Sequence, residues 1–208
     1  LCCEEAASLL FLNTSPLKLI TEAESRDDAA YFDDSLIDPE TLYMLRQSTL
    51  HKLCDRTQTL HDRIHSIFEN LLLKQYGKIN FAFPSEDEFY DILIKASKKT
   101  EAYDADFTHL LKCLCENKTE ALFSRQTFIS YLGERTADYE KLLSYLVFRH
   151  FPKAVYDGDA LGKFCFCVGV TAITFYADVL LFAERGKFDI DNRINSVKYL
   201  SKQFEYSD

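Results

Sequence analysis

The 208-residue sequence has no tryptophan, only 6 glycines and only 4 prolines. An all-β chain of this length draws on glycine and proline for its many turns, so their shortage favours helices. Positive charge is also short. Against 33 aspartates and glutamates stand 24 lysines and arginines, a formal net charge of −9. That balance excludes a general nucleic-acid binder, which needs a basic face to neutralise phosphates. It keeps a surface soluble, and it permits a basic partner such as a lysine-bearing protein or a cationic cofactor. Missing too are G-x-G-x-x-G, a P-loop, G-x-S-x-G and C-x-x-C, so neither a nucleotide cradle nor a serine nucleophile elbow is recognisable. No repeat at solenoid spacing and no low-complexity tract occurs.

What is present is apolar and rich in rings. With 47% hydrophobic residues, 17 phenylalanines and 12 tyrosines, the chain can bury a sizeable core. Its 7 cysteines fall as Cys2-Cys3, Cys54, Cys113/Cys115 and Cys165/Cys167. Adjacent and alternate pairs do not make the disulfide framework of a secreted protein. They read as reduced thiols in a cytoplasmic compartment. Positions i and i+2 of a helix point about 200° apart, so Cys113/Cys115 and Cys165/Cys167 read as packing rather than as metal pairs. The Leu9–Leu12 run is too short for a signal peptide and has acidic residues upstream.

Along the chain, Glu4–Leu12 reads as a short helix and 21–38 as an acidic loop or linker. Asp38-Pro39-Glu40 is a helix start, with an acceptor before the first turn and a residue that lacks the N–H the turn would waste. Leu42, Leu45, Leu53, Leu60, Ile64, Ile67 and Leu71 then recur in steps of three, four and seven. They predict one long helix ended by Gly77. Lys78–Phe83 is the best strand candidate. Ser85 and Glu88 form a capping box before Phe89, Ile92, Leu93 and Ala96. Phe107, Leu110, Leu111 and Leu114 predict another helix. Ser124 caps the next in this reading, which runs to Pro152 and is bent or broken at Gly133. Asp157-Gly158-Asp159 is a turn, Gly186 closes the helix that follows, and Asp189 opens a last one carrying Ile190, Ile194, Val197, Leu200 and Phe204.

Phe164–Ala183 is an apolar run of about 20 residues, near the length that spans a bilayer. Asp178 lies within it, and a carboxylate there is costly in lipid. The run therefore reads as the central helix of a soluble bundle rather than a membrane span. The expected fold is all-α: one helical domain over 1–208, an irregular multi-helix bundle with a buried apolar helix near the C-terminus.

The sharpest local motif is His61-Asp62-Arg63-Ile64-His65. Two histidines at i and i+4 share a helix face, as in the H-E-x-x-H zinc proteases, and Glu69 extends that face. Here Asp62 stands where those enzymes place glutamate. His61, His65 and Glu69 are accordingly candidate metal ligands for a hydrolase, against an ordinary polar helix face. A cage of rings from Tyr131, Tyr139, Tyr145, Tyr156 and Tyr176 could hold a methylammonium or sulfonium cation, against simple packing.

The two ends carry a resemblance. Leu1-Cys2-Cys3-Glu4-Glu5-Ala6-Ala7-Ser8-Leu9-Leu10 resembles an "L-S-C-x-E-x-A-R-L-L" segment of the flagellin lysine-N-methylases, with Cys3 on the family's cysteine. Cys2 replaces serine and Ser8 replaces arginine. Tyr139–Leu143 followed by Phe148–Pro152 is similar to that family's "E-N-Y-L…F-K-x-x-F-P", and Asp159–Ala183 to its long apolar helix. Leu200–Ser207 resembles its closing "Y-S-R-x-x-E-H-S", with Tyr206 in place of histidine. The middle, roughly 21–125, matches in helical character alone. The resemblance implies a parent that methylates flagellin lysines with S-adenosylmethionine and carries an iron–sulfur or metal centre on N-terminal cysteines. The present chain would be its C-terminal helical part, shaping the substrate side or scaffold of the site and inactive alone. Cys3 alone could carry over as a cluster ligand, and only together with the parent's other cysteines. Asp157, Asp159, Glu205 and Tyr206 are the candidates for deprotonating or aligning the lysine. A non-enzymatic helical module whose acidic face binds a basic partner is the competing reading.

Overall fold

The computed structural model describes residues 37–77, 90, 91, 93–95, 98 and 105–205. Those residues form α1 (Pro39–Cys54), α2 (Leu60–Tyr76), α3 (Ala105–Glu116), α4 (Lys118–Leu132), α5 (Ala137–His150), α6 (Ala160–Arg185) and α7 (Ile190–Glu205). Single 3-10 turns at Gly133–Thr136 and Phe151–Val155 join α4 to α5 and follow α5. Residues 90, 91, 93–95 and 98 are helical as well. The all-α bundle is thus present, and no strand occurs among the described residues. The Glu4–Leu12 helix, most of the 21–38 loop, the Lys78–Phe83 strand candidate and the Ser85–Glu88 box lie outside them.

The predicted helix from Asp38 to Gly77 is in fact two. Asp55 Oδ1 accepts from the Thr57 backbone N–H at 3.1 Å and from its hydroxyl at 2.6 Å, which turns the chain after Cys54. Thr59 then caps α2, its hydroxyl accepting from the Asp62 N–H at 3.1 Å. The step of seven from Leu53 to Leu60 fits a continuous helix equally well. The polar run between them offers side-chain partners that outcompete the helical backbone bonds.

Ser124 is likewise no cap. It lies inside α4 with its hydroxyl donating to Glu120 Oε1 at 2.9 Å. Lys118–Leu122 are mostly good helix formers, so α4 starts right after Asn117. Its other end falls where the sequence put a break: Gly133 has φ 53° and ψ −124°, a conformation closed to residues with a Cβ. Asp38, Gly77, Gly186 and Asp189 play the terminal roles expected of them.

The centre of the bundle is α6. It packs against α2, α3, α4, α5, α7 and the Phe151–Val155 turn, while α1 rests on α2, α5 and that turn. A helix surrounded in this way must be apolar on every face, and 17 of its 26 residues are buried. Its two buried threonines are satisfied within it: Thr171 and Thr174 donate to the carbonyls of Cys167 and Val170, each at 2.8 Å. By length and composition α6 could cross a membrane, but 78% of its most apolar window is buried inside the bundle. Rings fill the space around it. Phe128 of α4 lies 5.2–5.7 Å, centroid to centroid, from Phe175, Phe182 and Phe188. Phe68 of α2 meets Phe164 at 5.0 Å. Such offset and edge contacts add to the area each ring buries.

Arg63 ties α1, α2 and α5 together. Its guanidinium reaches the carbonyls of Leu53 and Thr59 and both carboxylate oxygens of Glu140, at 3.1 and 3.4 Å. It is buried, and its charge is matched by this fork of acceptors.

Candidate functional site

Asp157 and Asp159 sit together at the start of α6, and His61, His65 and Glu69 on α2. Asp159 is the N-cap of α6, Oδ1 accepting from the Gly162 N–H at 2.7 Å and from Gln75 Nε2 at 3.0 Å. Gln75 Oε1 in turn accepts from the Leu161 N–H at 2.9 Å, so one amide side chain binds the end of α2 to the start of α6. Asp157 accepts from the Asp159 N–H at 3.0 Å and pairs with Lys163. Both aspartates shape a helix start. Glu205 ends α7, whereas Tyr206 and Cys3 lie outside the described residues.

On α2 the His61 and His65 rings are 6.1 Å apart and inclined by 52°. His65 Nδ1 lies 3.3 Å from Glu69 Oε1. Among the described residues no group of three or more His, Cys, Asp or Glu is arranged to hold a metal ion. The described cysteines fall into two sets. Cys165 and Cys167 are buried, their thiol pKa values raised by desolvation, while Cys54 is exposed and Cys113 and Cys115 are half-buried. The packing reading thus holds fully for the first pair and partly for Cys113/Cys115.

The tyrosines do not converge either. Tyr139 and Tyr176 are buried, whereas Tyr131, Tyr145 and Tyr156 are exposed. One of them does carry a cation on its face, and the cation is internal: the Arg193 guanidinium of α7 lies 4.0 Å from the Tyr139 ring centroid and 5.2 Å from that of Phe188.

Arg193 belongs to a buried polar group that the sequence reading passed over. Asp178 of α6 is fully buried. Its Oδ2 accepts from the Tyr139 hydroxyl at 2.8 Å and lies 3.1 Å from Arg193 Nε. The Nε proton is not aimed at it, so the Arg193 contact is an ion pair rather than a directed hydrogen bond. Asp178 Oδ1 has no well-aligned partner among the described residues. Desolvation pushes the Asp178 pKa up to about 6, against the lowering effects of Arg193, the Ser196 hydroxyl and Tyr139. Burial and the neighbouring carboxylate push Tyr139 well above its ordinary value. Three helices meet here without access to solvent, so the group holds α7 in place rather than meeting a substrate. The available signal was an arginine on a face of α7 distinct from its apolar stripe: Arg193 is buried while Ile190 and Ile194 are exposed.

Access lies elsewhere. A groove of about 520 Å³ runs between α3, the start of α4 and the C-terminal half of α6. Leu110, Cys113, Asn117 and Glu120 line it from α3 and the start of α4, and Ala177, Leu180, Leu181, Ala183 and Glu184 from α6. Cys113 Sγ is 3.5 Å from His109 Nε2. Comparison of the chain with protein-family models, curated proteins and solved structures finds no match.

Proposed function

We propose that this chain is a helical protein-interaction module whose α3–α6 groove receives a basic amphipathic helix of a partner protein. The spacing of the lining residues carries the reading. Ala177, Leu180, Leu181 and Glu184 fall at i, i+3, i+4 and i+7, with the small Ala183 beside them, and Leu110, Cys113 and Asn117 fall at steps of three and four. Two helical ridges so spaced leave room for the ridge of a third helix. Most of the lining is apolar, and Glu120 and Glu184 add negative charge to it, in keeping with a chain of net charge −9. Charge of that sign steers a lysine-bearing helix toward the groove and disfavours an acidic one. The candidate acids Asp157 and Asp159, by contrast, are both engaged in internal contacts.

The test is binding of a labelled Leu/Lys amphipathic peptide, followed by fluorescence polarisation, to the wild type and to Leu181→Asp. Saturable binding that falls at least tenfold in the variant supports the groove. Equal binding to both would sink it, since charge attraction alone would survive the added aspartate.

A second reading rests on the sequence ends that resemble flagellin lysine-N-methylases. In it this chain is the helical C-terminal part of a lysine methyltransferase, and the same groove takes the lysine-bearing segment of flagellin. S-adenosylmethionine and an iron–sulfur or metal centre would be held chiefly by an N-terminal part rich in cysteine. Calorimetry with S-adenosylmethionine, on this chain and on the full product of its gene, tests it. Binding to either supports a methylase, and binding to neither removes it.

A further inference from the structure

Arg46 stands out among the charged side chains of α1. Leu42, Leu45 and Thr49 face the core, and Arg46 lies beside that stripe toward α5. Its guanidinium carbon sits 5.5 Å from the centre of the Tyr43 ring and 5.1 Å from that of Phe148. A planar cation between two rings is held in one orientation. Among the described residues no carboxylate pairs with it and none accepts from its buried Nε. Glu40, earlier on the same helix, is exposed and forms no ion pair with it.

The space beside this cation is shaped for an acceptor. Pro39, Leu42, Tyr43, Pro152 and Val155 line, with Arg46, an open pocket of about 270 Å³. Among the described residues Arg46 supplies its one charge; the other side chains present carbon surface and the Tyr43 phenol. Tyr43 and Phe148 are 53% and 57% exposed, so the rings that hold the guanidinium stand at the surface beside the pocket. An apolar pocket with a single fixed polar group is the usual form of a small-molecule site.

We infer that this pocket binds a small apolar carboxylic acid. Its aryl or branched alkyl group fills the space between Leu42, Pro152 and Val155, and its carboxylate meets the Arg46 fork. The site shares no residue with the α3–α6 groove, so it stands or falls independently of the partner proposed there.

Calorimetry with 3-phenylpropionate tests the inference, alongside its uncharged amide, Arg46→Met and Val155→Trp. Circular dichroism confirms that each variant is folded. Saturable binding of the acid is expected, with at least a tenfold loss for the amide, a similar loss in Arg46→Met, and loss in Val155→Trp through filling of the pocket. No binding of the acid to the wild type overturns the inference, as does equal binding of acid and amide. A tripeptide ending in phenylalanine distinguishes the source of the carboxylate. If it binds at least tenfold more tightly than 3-phenylpropionate and in an Arg46-dependent manner, the pocket reads polypeptide C-termini and the small-acid assignment is wrong.

Discussion

The Tyr139 hydroxyl donates to Asp178 Oδ2 at 2.8 Å from inside the bundle, with the Arg193 guanidinium laid over the same tyrosine ring. The three residues come from α5, α6 and α7. A carboxylate carried by the central apolar helix is therefore also the anchor of the last one.

This anchor responds to pH in a direction that can be worked out. The Asp178 pKa is about 6 in the folded chain against an ordinary 3.8. Between those values the folded state holds a proton that the unfolded state has released. Stability contributed by the group therefore rises as pH falls through about 6, and the gain approaches about 3 kcal/mol once pH nears 3.8. Urea unfolding from pH 7 to pH 4.5 should show this rise in the wild type and not in Asp178→Asn. Parallel curves for the two proteins would mean that Asp178 does not titrate as described. Asp38 and Asp55, whose pKa values are lowered by cap and turn hydrogen bonds, act below this window with the opposite sign.

The start of α6 yields a prediction with a change of sign. A Cβ added at Gly162 would lie 2.0 Å from Asp159 Oδ2, so Gly162→Ala must displace the cap. Asp159→Ala should cost about 1–2 kcal/mol, the range for a lost N-cap, and Gly162→Ala a comparable amount. With Asp159 already replaced, nothing remains to displace. Gly162→Ala should then stabilise by up to about 1 kcal/mol, the helix preference of alanine over glycine. A double-mutant cycle by thermal unfolding reads the coupling; additive costs would rule out the clash.

Phe128 touches three other rings, and all four come from α4, α6 and the segment leading into α7. Phe128→Ala should lower stability by about 3–5 kcal/mol, whereas Phe123→Ala should change it by less than about 0.5 kcal/mol. Phe123 is on the same helix but 83% exposed. Chemical denaturation of the two variants makes the comparison, and similar losses would contradict the assigned faces of α4.

Thiol reactivity separates the described cysteines. Cys54 should react with a disulfide reagent in the native protein, whereas Cys165 and Cys167 should react only on unfolding. Peptide mapping after a timed pulse of iodoacetamide gives the order. Early labelling of Cys167 would show that α6 is not enclosed as described.

Much of this architecture could be read from the sequence because its signals are local. Asp38, Gly77, Gly133, Gly158, Gly186 and Asp189 each fix a helix end through their own backbone or a neighbour's N–H. The break at Asp55–Thr59 escaped because hydrophobic spacing cannot distinguish a continuous helix from two helices in phase. The central place of α6 was legible, since a run apolar on every side has nowhere else to go. The pairing of Asp178 with Arg193 was not. It joins positions on two helices whose mutual approach depends on tertiary packing, and periodicity reports a face without naming what it meets. Arg46 was missed for the same reason: its two ring partners come from α1 and α5. The catalytic candidates Asp157 and Asp159 carried a signal shared by caps and acids, and the structure supplies the cap partners that a sequence cannot show.

The position of α6 also sets an order of events during synthesis. Helices α2 to α5 precede it in the chain, and each buries part of its apolar face against it. Until residue 185 has left the ribosome, those faces have no permanent cover. The nascent chain must therefore be shielded or remain loosely collapsed, and the cooperative native core can form only when this late segment arrives.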